Sequence, residues 1–81
     1  MTKTERRILA EYAANAPEAE LEDAYYSAVM DSLGSITEEM YELGYDMADI
    51  REQEMLENYY AERCAILENA CIKRGIRIWE E

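Results

Sequence analysis

Histidine and phenylalanine are missing altogether from this sequence, and basic residues are scarce. Without histidine the commonest general base is gone, and neither cysteine has an imidazole to activate it. Catalysis is therefore not expected. The two cysteines, Cys64 and Cys71, do not form a CxxC pair, so a structural zinc site is not expected either. Placed on one helix they would stand about 10.5 Å apart, too far for a disulfide, and they read as small apolar residues on a buried seam. With only three glycines no phosphate-binding loop can be built, and no calcium-loop pattern occurs. Paired carboxylates such as Glu39 with Glu42, or Asp46 with Asp49, could hold a hard cation. A di-iron bundle would normally use Glu-x-x-His, which this chain cannot supply. No metal or cofactor is predicted.

Eight lysines and arginines face nineteen acids, a net charge of −11. That excess argues against direct nucleic-acid binding and against anionic membrane surfaces. No apolar run approaches the roughly 18 residues that span a bilayer. The first 16 residues, MTKTERRILAEYAANA, also lack the uninterrupted apolar core of a signal peptide. The expectation is a cytoplasmic protein, mature from Met1. Eighty-one residues make a single domain, 1–81, with one modest core and little stability in reserve.

What is present is helix punctuation. Thr2 with Glu5 spells a capping box, and Ile8, Leu9, Tyr12, Ala13 and Ala16 follow at helical spacing, predicting a helix from about Lys3 to Ala14. Asn15, Pro17 and Glu18 repeat the start signal, opening a second helix to Leu33 whose apolar side is Leu21, Tyr25, Tyr26, Val29, Met30 and Leu33. Gly34 is expected to stop it in a left-handed conformation. Ser35 with Glu38 predicts a third capping box, and a short helix carrying Ile36, Met40, Tyr41 and Leu43. A turn at Gly44, with Tyr45 folding back and Asp46 as the next N-cap, is preferred to one continuous helix from Thr37 to Arg74, which would be about 57 Å long. Ile50, Leu56, Tyr60, Cys64, Leu67 and Cys71 mark a seam on the last and longest helix, which Lys73-Arg74-Gly75 ends. The tail IRIWEE alternates like a short strand with nothing to pair with. The seam breaks heptad register at Gln53 and Glu54, which disfavours a simple coiled coil. The predicted fold is all-α, a compact bundle of about four helices with a long C-terminal helix and a short extended tail.

The eight residues LGYDMADI resemble the turn of helix-turn-helix DNA binders, in which a second, capped helix enters the groove. The resemblance fails in its chemistry. A recognition helix needs Arg, Lys, Asn or Gln on its outer face. This one offers Asp49, Glu52, Glu54 and Glu57, against Arg51 and Gln53.

With the sign reversed, the helix has another use. From Ile8 to Glu57 there are fourteen acids and one base, whereas Asn58 to Trp79 holds four bases and two acids. Between Glu38 and Glu57, eight acids and Arg51 leave −7 over 20 residues. That is roughly one charge per 4 Å of helix rise, close to the 3.4 Å phosphate spacing along one DNA strand. Carboxylates three or four residues apart lie about 5–6 Å apart on a helix, a spacing that a phosphate-binding surface could engage. In composition and size, though through no motif, the chain resembles the acidic decoys of phages and mobile elements, some anti-CRISPR and anti-restriction proteins among them. That resemblance implies a DNA-mimic inhibitor.

Seven tyrosines point the same way, since tyrosine suits interfaces where one end stays wet. Five methionines would give a surface that adapts to its partner. The expected partner-binding residues are Glu38, Glu39, Glu42, Tyr45, Asp46, Asp49, Glu52, Glu54, Glu57 and Tyr59, and the expected partner is a basic, nucleic-acid-binding protein. Two plainer readings compete. In one, the acids merely cover solvated faces. In the other, the seam from Leu56 to Cys71 pairs two chains into a homodimer, as a self-associating structural or regulatory module.

Overall fold

The computed structural model describes residues 1–78, so Trp79 and the end of the alternating tail lie outside the described residues. Four helices follow in order: α1 (Lys3–Asn15), α2 (Glu18–Ser32), α3 (Thr37–Leu43) and α4 (Met47–Lys73). They make the all-α bundle that the periodicity predicts, drawn out along α4 to 44 × 31 × 15 Å. Its radius of gyration is 14.8 Å, against about 12 Å for an average domain of this length.

The reason for that shape is that α4 is a spine. The first three helices pack mainly on it, and α1 and α2 hardly meet except at their shared connection. There the Tyr12 hydroxyl donates to Glu20 at 3.1 Å. The start of α1 sits beside Glu62, and the Arg74 guanidinium donates to the Ala13 carbonyl at 2.9 Å. Hence α1 runs parallel to the second half of α4. Antiparallel to that half runs α2, where Arg63 donates to Asp31 at 3.1 Å and where Leu21 and Tyr25 join Leu67 and Cys71. One core results, built from Ala13, Ala16, Leu21, Tyr25, Ala28, Leu67, Cys71 and Ile76.

This layout narrows the apolar stripes. A helix with one principal neighbour buries a narrower face than the sequence stripe marks out. Ile8 is 59% exposed, Met30 64% and Leu33 70%, while Ala28, outside the expected stripe, is buried. Leu56 likewise leaves the expected α4 seam and faces solvent. The seam's far end, Leu67 and Cys71, is buried within the chain's own core. Both cysteines are free thiols.

Local signals worked unevenly. The Thr2 hydroxyl caps α1 by accepting from the Glu5 N–H at 3.1 Å. Asn15 does not cap α2. It ends α1 instead, its amide donating to the Glu11 carbonyl at 2.8 Å, and Pro17 occupies the N-cap. Neither is Ser35 the cap of α3: Ile36 holds that position with no side-chain bond. Asp46 is the N-cap of α4, also without a side-chain bond. Gly34 is not left-handed, because Leu33 closes α2 in a right-handed turn. Gly44 and Gly75 are, at φ 79° and 70°.

Each of those two glycines sits in a Schellman arrangement. At α3, Gly44 N–H donates to Tyr41 and Tyr45 N–H to Met40; at α4, Gly75 N–H donates to Ile72 and Ile76 N–H to Cys71. The second arrangement folds Ile76 into the core, so the described tail is irregular chain rather than a strand. Nothing lies within 4 Å of a Cβ built on Gly44. Gly44→Ala is therefore expected to cost only the left-handed backbone penalty, about 1–2 kcal/mol, read by chemical denaturation.

Candidate partner-binding site

Because α1 begins level with Glu62 and α2 ends beside Arg63, most of the first half of α4 runs on beyond them, with α3 packed on it. From Met47 to Asn58 that is about 17 Å of helix, and at its base Tyr59 lines a hollow with Ile8, Leu9 and Tyr12 of α1. With α3, it forms an arm. Seven residues of helix would not hold together in water unaided, so α3 depends on what docks it.

Two contacts supply the docking. Met40 of α3 and Ile50 of α4 are buried where the two helices face each other, apart from the main core. Beside them the Thr37 hydroxyl donates to Glu57 Oε2. Glu57 is thus half-buried at the open N-terminus of α3, with Oε1 enclosed and lacking a well-formed hydrogen bond of its own. The hydroxyls of Ser35 and Thr37, against the opposing effect of burial, hold its carboxyl below the ordinary value of 4.5. The carboxylate does for α3, from another helix, what a capping side chain does locally.

The sign of the pH effect follows. A carboxyl whose pKa is lowered on folding stabilises the fold above its unfolded value, and that contribution is lost as pH falls through the folded value. Docking of α3 should therefore weaken as pH falls below about 4.5. Glu57→Gln is expected to remove that step and to loosen α3 at neutral pH. Amide exchange across Met40–Gly44 should speed up while Leu21 and Leu67 stay protected.

The other seven acids of the expected site behave differently. Glu38, Glu39, Glu42, Asp46, Asp49, Glu52 and Glu54 are all exposed, and among the described residues none makes an ion pair. Neighbours on a helix point about 100° apart. Measured from the buried Met40, Glu38 and Glu42 share the outer side of α3. On α4, measured from Ile50, Asp49 and Glu52 lie toward one side and Glu54 toward the other. The carboxylates encircle the arm instead of lining one stripe. Tyr45 is half exposed at its turn, and Tyr59, at its base, stacks edge-on against Tyr60 with ring centroids 5.8 Å apart.

The ion pairs lie elsewhere. Glu62 takes Arg6 and the N-terminal ammonium of Met1, and Arg63 takes Asp31, all in the three-helix part of the molecule. Arg6, and then the N-terminus, hold the Glu62 carboxyl below its ordinary range. Among the described residues no group of three or more carboxylates or thiols is arranged to hold a metal ion. Burial pushes the Cys64 and Cys71 thiols up, which keeps them protonated. No helix of the described residues is long and apolar enough to cross a membrane.

No family model, curated protein or solved structure matches this chain. The reading of the arm rests on its own chemistry. The arm departs from the expected site in two ways. Glu57, expected among the partner-binding acids, turns inward to Ser35 and Thr37, about 20 residues away in sequence. The exposed apolar groups Tyr41, Leu43 and Met47 were also left out, yet the alternation in Tyr41-Glu-Leu-Gly-Tyr-Asp-Met47 signals them.

Proposed function

We propose that this protein is a non-enzymatic inhibitor whose acidic arm occupies a basic, nucleic-acid-binding surface on a partner protein, standing in for phosphate. The observation that carries this reading is the set of seven carboxylates, exposed and unpaired among the described residues, on a segment outside the main core. Exposed charges with no partner in their own chain keep their full attraction for an outside cation, whereas a paired carboxylate would first have to give up its partner. A carboxylate also accepts hydrogen bonds from arginine and lysine much as a phosphate oxygen does. The origin that suits such a protein is a phage or mobile element, and the function that suits it is of the anti-CRISPR or anti-restriction kind.

Affinity purification of the tagged protein from a bacterial lysate, at low and at high salt, tests the proposal. The expected result is one basic nucleic-acid-binding protein, lost at high salt and displaced by added duplex DNA. Retention at high salt, or indifference to DNA, would count against a phosphate stand-in.

A further inference from the structure

The turn at the end of the arm carries more apolar surface than a solvated turn needs. In the seven residues Tyr41 to Met47, every second side chain up to Tyr45, and then Met47, is apolar and exposed: Tyr41 50%, Leu43 74%, Tyr45 51% and Met47 51%. Glu42, Gly44 and Asp46 fill the places between. The turn is also fixed, with the left-handed Gly44 donating to Tyr41 at 3.2 Å and Tyr45 N–H to Met40 at 3.0 Å. Apolar groups held on a fixed turn lose little conformational freedom when covered.

Charge decides what covers them. Glu38, Glu42, Asp46 and Asp49 flank the turn, all exposed and unpaired among the described residues. A second copy of this tip would bring the same acids against themselves, and an anionic lipid surface would be repelled in the same way. A protein surface with an apolar patch flanked by lysine and arginine meets both features at once. An apolar or aromatic centre inside a polar rim is also how interface energy is usually distributed. We infer that the Tyr41–Met47 tip is the anchor of the interaction, seating Leu43, Tyr45 and Met47 on an apolar patch of the basic partner while the surrounding carboxylates engage its rim. This rests on the arm being the binding element, and it assigns the apolar contact to the tip and the salt dependence to the acids.

Two synthetic peptides of equal length and equal lysine content test it, one an amphipathic helix with a leucine stripe and the other with serine at each leucine position. Binding of each to the intact protein is read by fluorescence anisotropy at low and moderate salt. The leucine peptide should bind more than tenfold tighter than the serine peptide, and the double substitution Leu43→Ser, Met47→Ser should bring the two together. Both side chains are at least half exposed, so the fold should tolerate the change, which a melting curve verifies. Equal binding of the two peptides to the unsubstituted protein would overturn the tip's role and leave the charge reading standing. Preference for leucine that survives in the double variant would place the apolar contact elsewhere and overturn the assignment. Binding of neither peptide would remove the arm reading itself. Sedimentation showing a dimer that the double variant loses would put a second copy on the tip and overturn the basic-partner assignment.

Discussion

Replacing Glu42 and Glu52 together by lysine is expected to weaken partner binding roughly 30-fold at low salt, on the order of 2 kcal/mol at about 1 kcal/mol for each reversed rim charge. Association should slow, and the remaining binding should depend less on ionic strength. Both positions are exposed, unpaired among the described residues and away from helix N-termini, and Glu42 lies in the last turn of α3, where a cation suits the helix dipole. Glu54 and Glu57 are left out because both line the hollow at the start of α3 with Ser35 and Thr37, and changing either would disturb α3 itself. Four units of charge change on a chain of net −11 relieve self-repulsion, so the double variant should melt no lower than the parent. Binding would fall while stability held, an outcome that a general folding defect cannot imitate. Unchanged affinity, measured by titration calorimetry with the captured partner, would end the acidic-arm proposal.

Leu67→Ala should have the largest effect on folding. Leu67 is 1% exposed on α4, in the core that α1 and α2 share. Truncation there removes the transfer energy of the side chain and leaves a cavity, about 2–5 kcal/mol in comparable cores. A chain of this length has roughly 4–12 kcal/mol in total. At 4–8 °C for each kcal/mol, the melting temperature should drop by at least about 8 °C. By contrast Leu56→Ala, on the same helix but 44% exposed, should move the melting temperature by only a few degrees. Thermal melts of the two variants side by side check both the size and the contrast.

How much of this the sequence carried depended on the range of the interaction concerned. Helix stops at Gly44 and Gly75 were legible because the left-handed conformation is a local demand that glycine meets best. Gly34 sent the same signal without that conformation, since the right-handed turn at Leu33 had already closed α2. Asn15 was misassigned because its amide had two backbone uses within reach, and finishing α1 won over starting α2. Periodicity found the apolar side of each helix but not its width, which is set by how many neighbours that helix has. Leu33, Met30 and Leu56 were therefore placed inside when they face water. In the candidate site, seven carboxylates were legible as an outward group from their density alone. The eighth, Glu57, was not, because what turns it inward is Thr37 on a different helix.

The spine arrangement also fixes when this protein can fold during its own synthesis. Residues of α1 and α2 leave the ribosome well before Leu67, Cys71 and Ile76, against which they pack. With α1 and α2 barely touching, the nascent chain has no intermediate core to settle into, and Leu21 and Tyr25 stay uncovered until α4 is almost complete. Folding is then a single event that waits for the second half of α4, and a chain that stops short of Leu67 is expected to form no core.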